Sequence, residues 1–204
     1  SAQTSANRAE RFRALYAEYF TGLERLNFDS LRHDEQIDYL LFANHLRRET
    51  RELDREKVQF EEMAGLLPFA KTISDLEDQR RRLESIDAAK TAALLDGLAR
   101  EIVETQKAVE SGKIVKPKRT VANRAVRTLN GLRQTLRGWY NFHNFYDPTF
   151  TWWNKKPYEA VDDALNKYAA FVTTKLVGIA PDDRTTIIGD PIGREALLQE
   201  LEFE

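Results

Sequence analysis

Metal chemistry needs two or three histidines or carboxylates converging on one ion, often two histidines a single helical turn apart. The chain has three histidines, His33, His45 and His143, and none has a histidine partner at that spacing. No HExxH occurs. A serine nucleophile would need a sharp elbow of the G-x-S-x-G kind, which is absent. Cysteine is absent too, removing thiolate nucleophiles, thiolate ligands and disulfides together. No catalytic and no metal-ligating residue is therefore assigned, and no cofactor is expected on these residues.

Two stretches could still bind something. Residues 139–158, WYNFHNFYDPTFTWWNKKPY, hold nine aromatic side chains and all three tryptophans. Each ring can remove on the order of 150–250 Å² from water, so neighbouring helices are expected to collapse onto this stretch. Two readings stand: a structural aromatic hinge between helices, or a ring-lined groove for a peptide or sugar. Under the second, His143, Tyr146, Trp152 and Trp153 are the candidate substrate-facing residues. His143 alone reads as a hydrogen-bonded packing residue rather than a catalyst. The second stretch is GDPIGR at 189–194. It lacks the lysine and spacing of a phosphate loop, but its glycines leave backbone N–H groups open at a helix start. Gly189, Gly193 and Arg194 thus form a candidate carboxylate-binding turn, the plainer alternative being a tight turn with a helix cap.

The elements that must position these residues are helical. Apolar residues recur at three and four throughout, predicting an all-α bundle of about six to eight helices. The first runs from Asn7, a plausible N-cap, to Leu26, with Phe12, Leu15, Tyr16, Tyr19, Phe20, Leu23 and Leu26 as its buried face. The second starts near Asp34, carries Ile37, Leu40 and Leu41 on one face, and stops before Pro68. Residues 71–85 are charged and thinly apolar, with Ile73, Leu76 and Leu83. Asp87 caps the next helix, whose inner stripe is Leu95, Leu98, Ile102 and Val109 and whose stop is Gly112. Residues 112–117 are the best linker, a possible subdivision of the core, with 114–116 extended ahead of Pro117.

Residues 113–137 carry eight basic side chains and no acid. Basic residues leading into rings suit a single-strand nucleic-acid binder. A helical projection separates the classes instead: Val121, Ala122, Ala125, Val126, Leu129, Leu132 and Leu136 fall on one side, and Arg119, Arg124, Arg127, Arg133 and Arg137 on the other. An ordinary amphipathic helix is expected, with no nucleic-acid partner. After a break at Asp147-Pro148, a last long helix is placed from Pro157, at N1, to Gly178. Residues 185–188, TTII, read as a short strand-like segment near the C-terminus. Asp190 and Pro191 are placed as N-cap and N1 of a final helix through Leu201.

The formal charge of −2 gives no reason to expect an acidic polymer as main partner. No apolar run approaches the roughly 20 residues needed to cross a bilayer, so no membrane span is expected. The first seven residues, SAQTSAN, are small and polar, as a mature exported chain is after signal removal and as an expression remnant would be. The reading leans to an exported or periplasmic chain over a cytoplasmic one.

Three segments in order carry a family likeness: EQIDY at 35–39, FTWW at 150–153 with Pro157-Tyr158 following, and IGDPIGREALL at 188–198. Together they resemble the bacterial domain-of-unknown-function family eight-eight-five, regarded as zinc metallopeptidases; the glycine-proline segment is the most specific part. The resemblance implies a large, mostly helical protein with an HExxH arrangement in its later half. Residues 1–204 would then be the N-terminal helical region, lacking the active site, with zinc implied only for the missing C-terminal catalytic half. The expected function is a non-catalytic portion forming one wall of a peptide-substrate cleft. The alternative is a stand-alone helical binding module using the aromatic stretch as a platform for peptide or sugar.

Overall fold

Where apolar residues recur at helical spacing, helices form. The computed structural model describes residues 6–183 and 185–203, with side chains from residue 8 onward. Among these residues there are seven α-helices and no strand: α1 (Ala6–Glu24), α2 (His33–Met63), α3 (Ala70–Arg81), α4 (Ala88–Glu110), α5 (Arg119–Asn144), α6 (Pro148–Phe171) and α7 (Gly193–Phe203). The protein is an all-α, multi-helix bundle. Asn7, expected as the N-cap of α1, lies outside the described side chains. The chain packs as two compact units, Glu61–Asp190 and Ala6–Phe60 together with the segment from Pro191. The loop at 112–117 lies inside the first of them.

In the Glu61–Asp190 unit the most extensive helix pair is α4 with α6; α5 packs on α6, and α3 on α5. α4 buries Leu95, Leu98, Ile102 and Val109, and α6, packed on it, buries Val161, Leu165 and Tyr168. The inner stripe of α5, from Val121 to Leu136, closes the same core. Each such valine, leucine or isoleucine contributes about 1.5–3 kcal/mol by leaving water. Asp87 caps α4 as expected, its carboxylate accepting from the Lys90 N–H at 3.0 Å. Gly112 turns the chain out of α4 at φ +78°. Tyr168 donates its hydroxyl to the Leu66 carbonyl at 3.0 Å, and burial pushes its phenol well above the ordinary range. After α6 the backbone widens into a π-helix, Val172–Val177, which Gly178 ends in the left-handed conformation. Arg119 at the start of α5 donates to its last carbonyl, Val177 O, at 2.7 Å.

Several expectations need correction. The long helix starts at Pro148, not Pro157: Asp147 accepts from the Thr149 N–H at 2.8 Å and Pro148 takes the N1 position. Pro157 sits inside α6. An interior proline costs roughly 3 kcal/mol, but Phe150 and Asn154 upstream and Val161 and Leu165 downstream all lie buried on one helix, and breaking it would expose half of them. α3 ends at Arg81, so Leu83 is not on its stripe. Leu83 instead holds φ +55° at the helix end, where the Leu83 N–H reaches Arg80 O at 3.0 Å and the Glu84 N–H reaches Gln79 O at 3.1 Å. That is the paired-bond helix stop in which glycine is usual. Residues 185–188 form no strand and run as irregular chain, with no sheet edge among the described residues to join. Asp183 organises them, accepting from the Thr185 and Thr186 N–H groups at 2.8 and 3.0 Å and from both hydroxyls. Asp190 does not cap α7, which begins at Gly193; its carboxylate accepts from Arg124 at 2.8 and 2.9 Å.

In the Ala6–Phe60 unit the expected buried stripe of α1 is only half realised. Phe12, Tyr16, Phe20 and Leu23 are partly covered, while Leu15, Tyr19 and Leu26 stay exposed, as do Ile37, Leu40 and Leu41 of α2. Long side chains join the helices, Tyr19 against Phe42 at 5.6 Å, Arg13 with Asp54 at 2.7 Å, and the Tyr16 hydroxyl donating to Glu49 at 3.2 Å, and α2 buries Ala43, Leu46 and Leu53. α7 is held to α2 by Arg48 and Arg55 donating to Glu200 and by Arg51 over the Phe203 ring.

Two measurements check this account. Phe150→Ala, emptying a fully buried ring site, should lower unfolding free energy by about 3–5 kcal/mol in denaturant titration. Leu83→Gly should raise it by up to about 1 kcal/mol, since the left-handed backbone there is strained for leucine and the side chain is 80% exposed.

Candidate functional site

The last turns of α5 and the first of α6 form a corner built from two classes of ring. The inward class fixes the turn. Trp139 meets Phe150 edge-on at 5.4 Å, and Tyr140 stacks on Tyr158 at 3.8 Å with parallel planes. Trp139 and Phe150 are fully buried, so the corner cannot open without hydrating both. Thr151 ties it further, donating its hydroxyl to the Asn144 carbonyl at 2.8 Å. Asn154 donates to Phe150 O and to Ala88 O, joining α6 to the start of α4.

The outward class is left in water. Phe145 is 85% exposed, Tyr146 91%, Trp152 76% and Trp153 43%. Trp152 and Trp153 stand nearly perpendicular, 4.9 Å apart. Of the sequence-derived candidates, Tyr146, Trp152 and Trp153 therefore flank one chain reversal and present apolar surface. His143 belongs to the same corner but to its inner side: its ring lies 5.5 Å from Trp139, 5.0 Å from Phe142 and 5.1 Å from Phe150. Burial, and next the nearby Arg80 guanidinium, hold its pKa below the ordinary value, against a smaller opposing pull from Asp147. At neutral pH it is an uncharged packing residue.

The second candidate, the carboxylate-binding turn, divides between the compact units. Gly189 is in the first, Gly193 and Arg194 open α7 in the second. Gly193 takes φ +88°, and Arg194 is exposed. Asp190, beside them in sequence, is already committed to Arg124 and Arg127, and the Arg124 hydrogen bonds hold its carboxyl below the usual range.

A feature not singled out from sequence adjoins the corner. Between α3 and α5 lies a groove of about 640 Å³ whose walls include Arg80, Arg81, Gln134 and Asn141, with Phe142 at the end that meets His143. At its floor Glu77 is buried and accepts from Arg80 at 2.7 and 2.8 Å and from Arg81 at 2.9 Å. These hydrogen bonds, Arg80's first, hold Glu77 ionised well below its ordinary pKa despite burial. The signal in the sequence is a glutamate followed by arginines at i+3 and i+4, the spacing that folds both onto one carboxylate. It is also what a solvated charged helix looks like, so it does not stand out.

Among the described residues no group of three or more His, Cys, Asp or Glu is placed to hold a metal ion. Among the same residues no helix is long and apolar enough to cross a membrane. No family model matches the chain, and neither a curated protein nor a solved structure matches it.

His143 sets a pH dependence. Its folded-state pKa is lowered, so the unfolded chain takes up the proton first as pH falls below about 6.5. Stability should therefore be complete above that value and decline toward pH 5, whereas the loss from Glu77, Asp162 and Asp190, whose pKa values are also lowered, comes only as pH falls below about 4. Denaturant titrations at pH 7.5 and about 5 should show that decline in the native chain and little of it in His143→Phe.

Proposed function

We propose that this chain is a non-catalytic helical module that docks a polypeptide through the outward rings of the α5–α6 corner. The resemblance drawn from residues 35–39, 150–153 and 188–198 supplies the setting. In it the polypeptide is the catalytic half of a zinc-dependent peptidase, and these helices form one wall of its peptide cleft. As a stand-alone module, the same rings would take a free peptide.

The observation that carries the reading is the exposure of Phe145, Tyr146 and Trp152 on a corner whose inner rings are locked. Large rings in water are a standing cost, and a turn needs none of them to reverse the chain. Rigid aromatic side chains lose little conformational entropy on binding and dominate the energetics of protein interfaces. Backbone capping by Asp147 and Pro148 adds preorganisation, which lowers the cost of docking further. Polypeptide is favoured over sugar on geometry. Trp152 and Trp153 are 89° apart and share no flat face for a pyranose ring to stack on.

The test uses a combined Phe145→Ser, Tyr146→Ser and Trp152→Ser variant against an array of unstructured peptides and a glycan array. The native chain should bind apolar-rich peptides with a change in tryptophan fluorescence on titration. The variant should lose at least about tenfold in affinity while keeping its thermal midpoint, because truncated anchors cost about 2 kcal/mol or more each only in the bound state. Binding of glycans alone, or of neither class, would overturn the docking reading. The peptidase setting has its own check: where the parent sequence continues past residue 204, an HExxH helix is expected downstream.

A further inference from the structure

The α3–α5 groove has the composition of a recognition site rather than a packing defect. Its volume of about 640 Å³ falls in the range of ligand clefts. One wall brings two guanidiniums to a single buried carboxylate. Glu77 engages Nε and one terminal nitrogen of Arg80 but only Nε of Arg81, so one positive charge and several N–H donors remain outside these bonds. Arg80 is further held by lying 5.1 Å over the Phe142 ring, which keeps its fork fixed in place. A fixed guanidinium is suited to a carboxylate.

The opposite wall is uncharged. Gln134, Gly138 and Asn141 follow one another at i, i+4 and i+7 on α5, a helix whose other outward positions include Arg119, Arg127 and Arg137. The amides of Gln134 and Asn141 are exposed and able to bond a peptide group. Glycine at 138 is not demanded by the fold: a Cβ built there meets nothing within 4 Å. Glycine inside a helix costs about 1 kcal/mol relative to alanine, and here that cost keeps the groove open.

We infer that this groove is a carboxylate subsite, in which Arg81 with the remaining donors of Arg80 holds an acidic side chain or a C-terminal carboxylate and the Gln134 and Asn141 amides hold the adjoining peptide. Phe142 lines the groove and its ring lies 5.0 Å from His143 of the corner; the ligand is taken as a segment of the polypeptide docked at that corner, and in that respect the inference rests on the docking reading.

Three blocked peptides test it by NMR titration of the full chain: acetyl-Leu-Ala-Glu-amide, acetyl-Leu-Ala-Ala with a free carboxylate, and acetyl-Leu-Ala-Gln-amide. The amide signals of Gly138 and the side-chain amides of Gln134 and Asn141 should shift with at least one acidic probe. That probe should bind about tenfold tighter than the glutamine probe, the usual gain of a charged over a neutral hydrogen bond. A response to the first probe assigns the carboxylate to a side chain, and to the second, to a chain end. Arg81→Gln should erase the preference. Gly138→Leu should block all three probes with the thermal midpoint held or raised, which separates occlusion from unfolding. Equal binding of the neutral probe, no response at these signals, or undiminished binding to Gly138→Leu would overturn the inference. The triple serine variant keeps the two readings apart. Acidic probes still bound by it, with long peptides bound as well as by the native chain, would sink ring docking and leave the groove standing.

Discussion

The Glu61–Asp190 unit depends on one contact, the buried meeting of Trp139 and Phe150 across the α5–α6 corner. Those rings sit eleven positions apart in the chain, so the backbone must reverse in the few residues between Asn144 and Pro148. Asp147 and Pro148 make that reversal inexpensive by capping α6 at once. With its start fixed there, α6 has to run through Pro157 to deliver Val161, Leu165 and Tyr168 to α4. Tyr168 in turn holds the Leu66 carbonyl just ahead of α3. The proline inside the helix is tolerated because the buried residues on both sides of it outweigh a single lost hydrogen bond.

Charge does different work in the two units. In the first, carboxylates answer Arg124, Arg127 and Arg133 on the basic face of α5. Arg133 grips Asp162 through two bonds at 2.6 and 2.7 Å, and Arg124 holds both Glu62 and Asp190. These pairs sit on top of an apolar core and set the register of helices already packed. In the second, α7 meets α2 through Arg48, Arg51 and Arg55 with Glu200 and Glu202, without a buried side chain of its own. Exposed pairs of that kind contribute roughly 0–1 kcal/mol each. The Ala6–Phe60 unit with α7 is accordingly the part of the chain expected to open first under denaturant.

The bundle was legible because its helices are amphipathic and its stops are chemical. Asp87 and Gly112 bound α4 in the sequence as they do in space. The acid-free basic run reads correctly as a helix face, since the carboxylates that answer it, Asp162 and Asp190, lie far along the chain. What misled was local grammar overridden by tertiary burial. Pro157 looks like a start only if Phe150 and Asn154 are not already helical. Asp190-Pro191 looks like a cap only if Arg124 does not take the carboxylate. TTII looks like a strand only if a neighbour offers an edge. The stripe of α1 announces burial, yet how much surface is covered depends on what faces it, which periodicity does not encode. At the site, the nine rings were visible as a group, but which face inward was not; Trp139 and Trp152 are the same residue type with opposite fates. The groove was hidden more deeply, because Glu77, Arg80 and Arg81 spell an ordinary solvated helix until α5 closes over them.

The corner divides buried packing rings from exposed ones within a single run of sequence. Trp139, Tyr140, Phe150 and Tyr158 pack on one another and the core, while Phe145, Tyr146 and Trp152 stay in water. Next door, Glu77 holds the Arg80 fork through two nitrogens and Arg81 through one. In both places an internal pairing holds a side chain still while leaving part of its binding capacity unspent. A rigid group with unspent donors or apolar surface binds with less entropic loss than a mobile one. On the docking reading proposed above, exposed rings beside the arginine-lined groove call for a segment that carries apolar residues next to a carboxylate, which a polypeptide can supply.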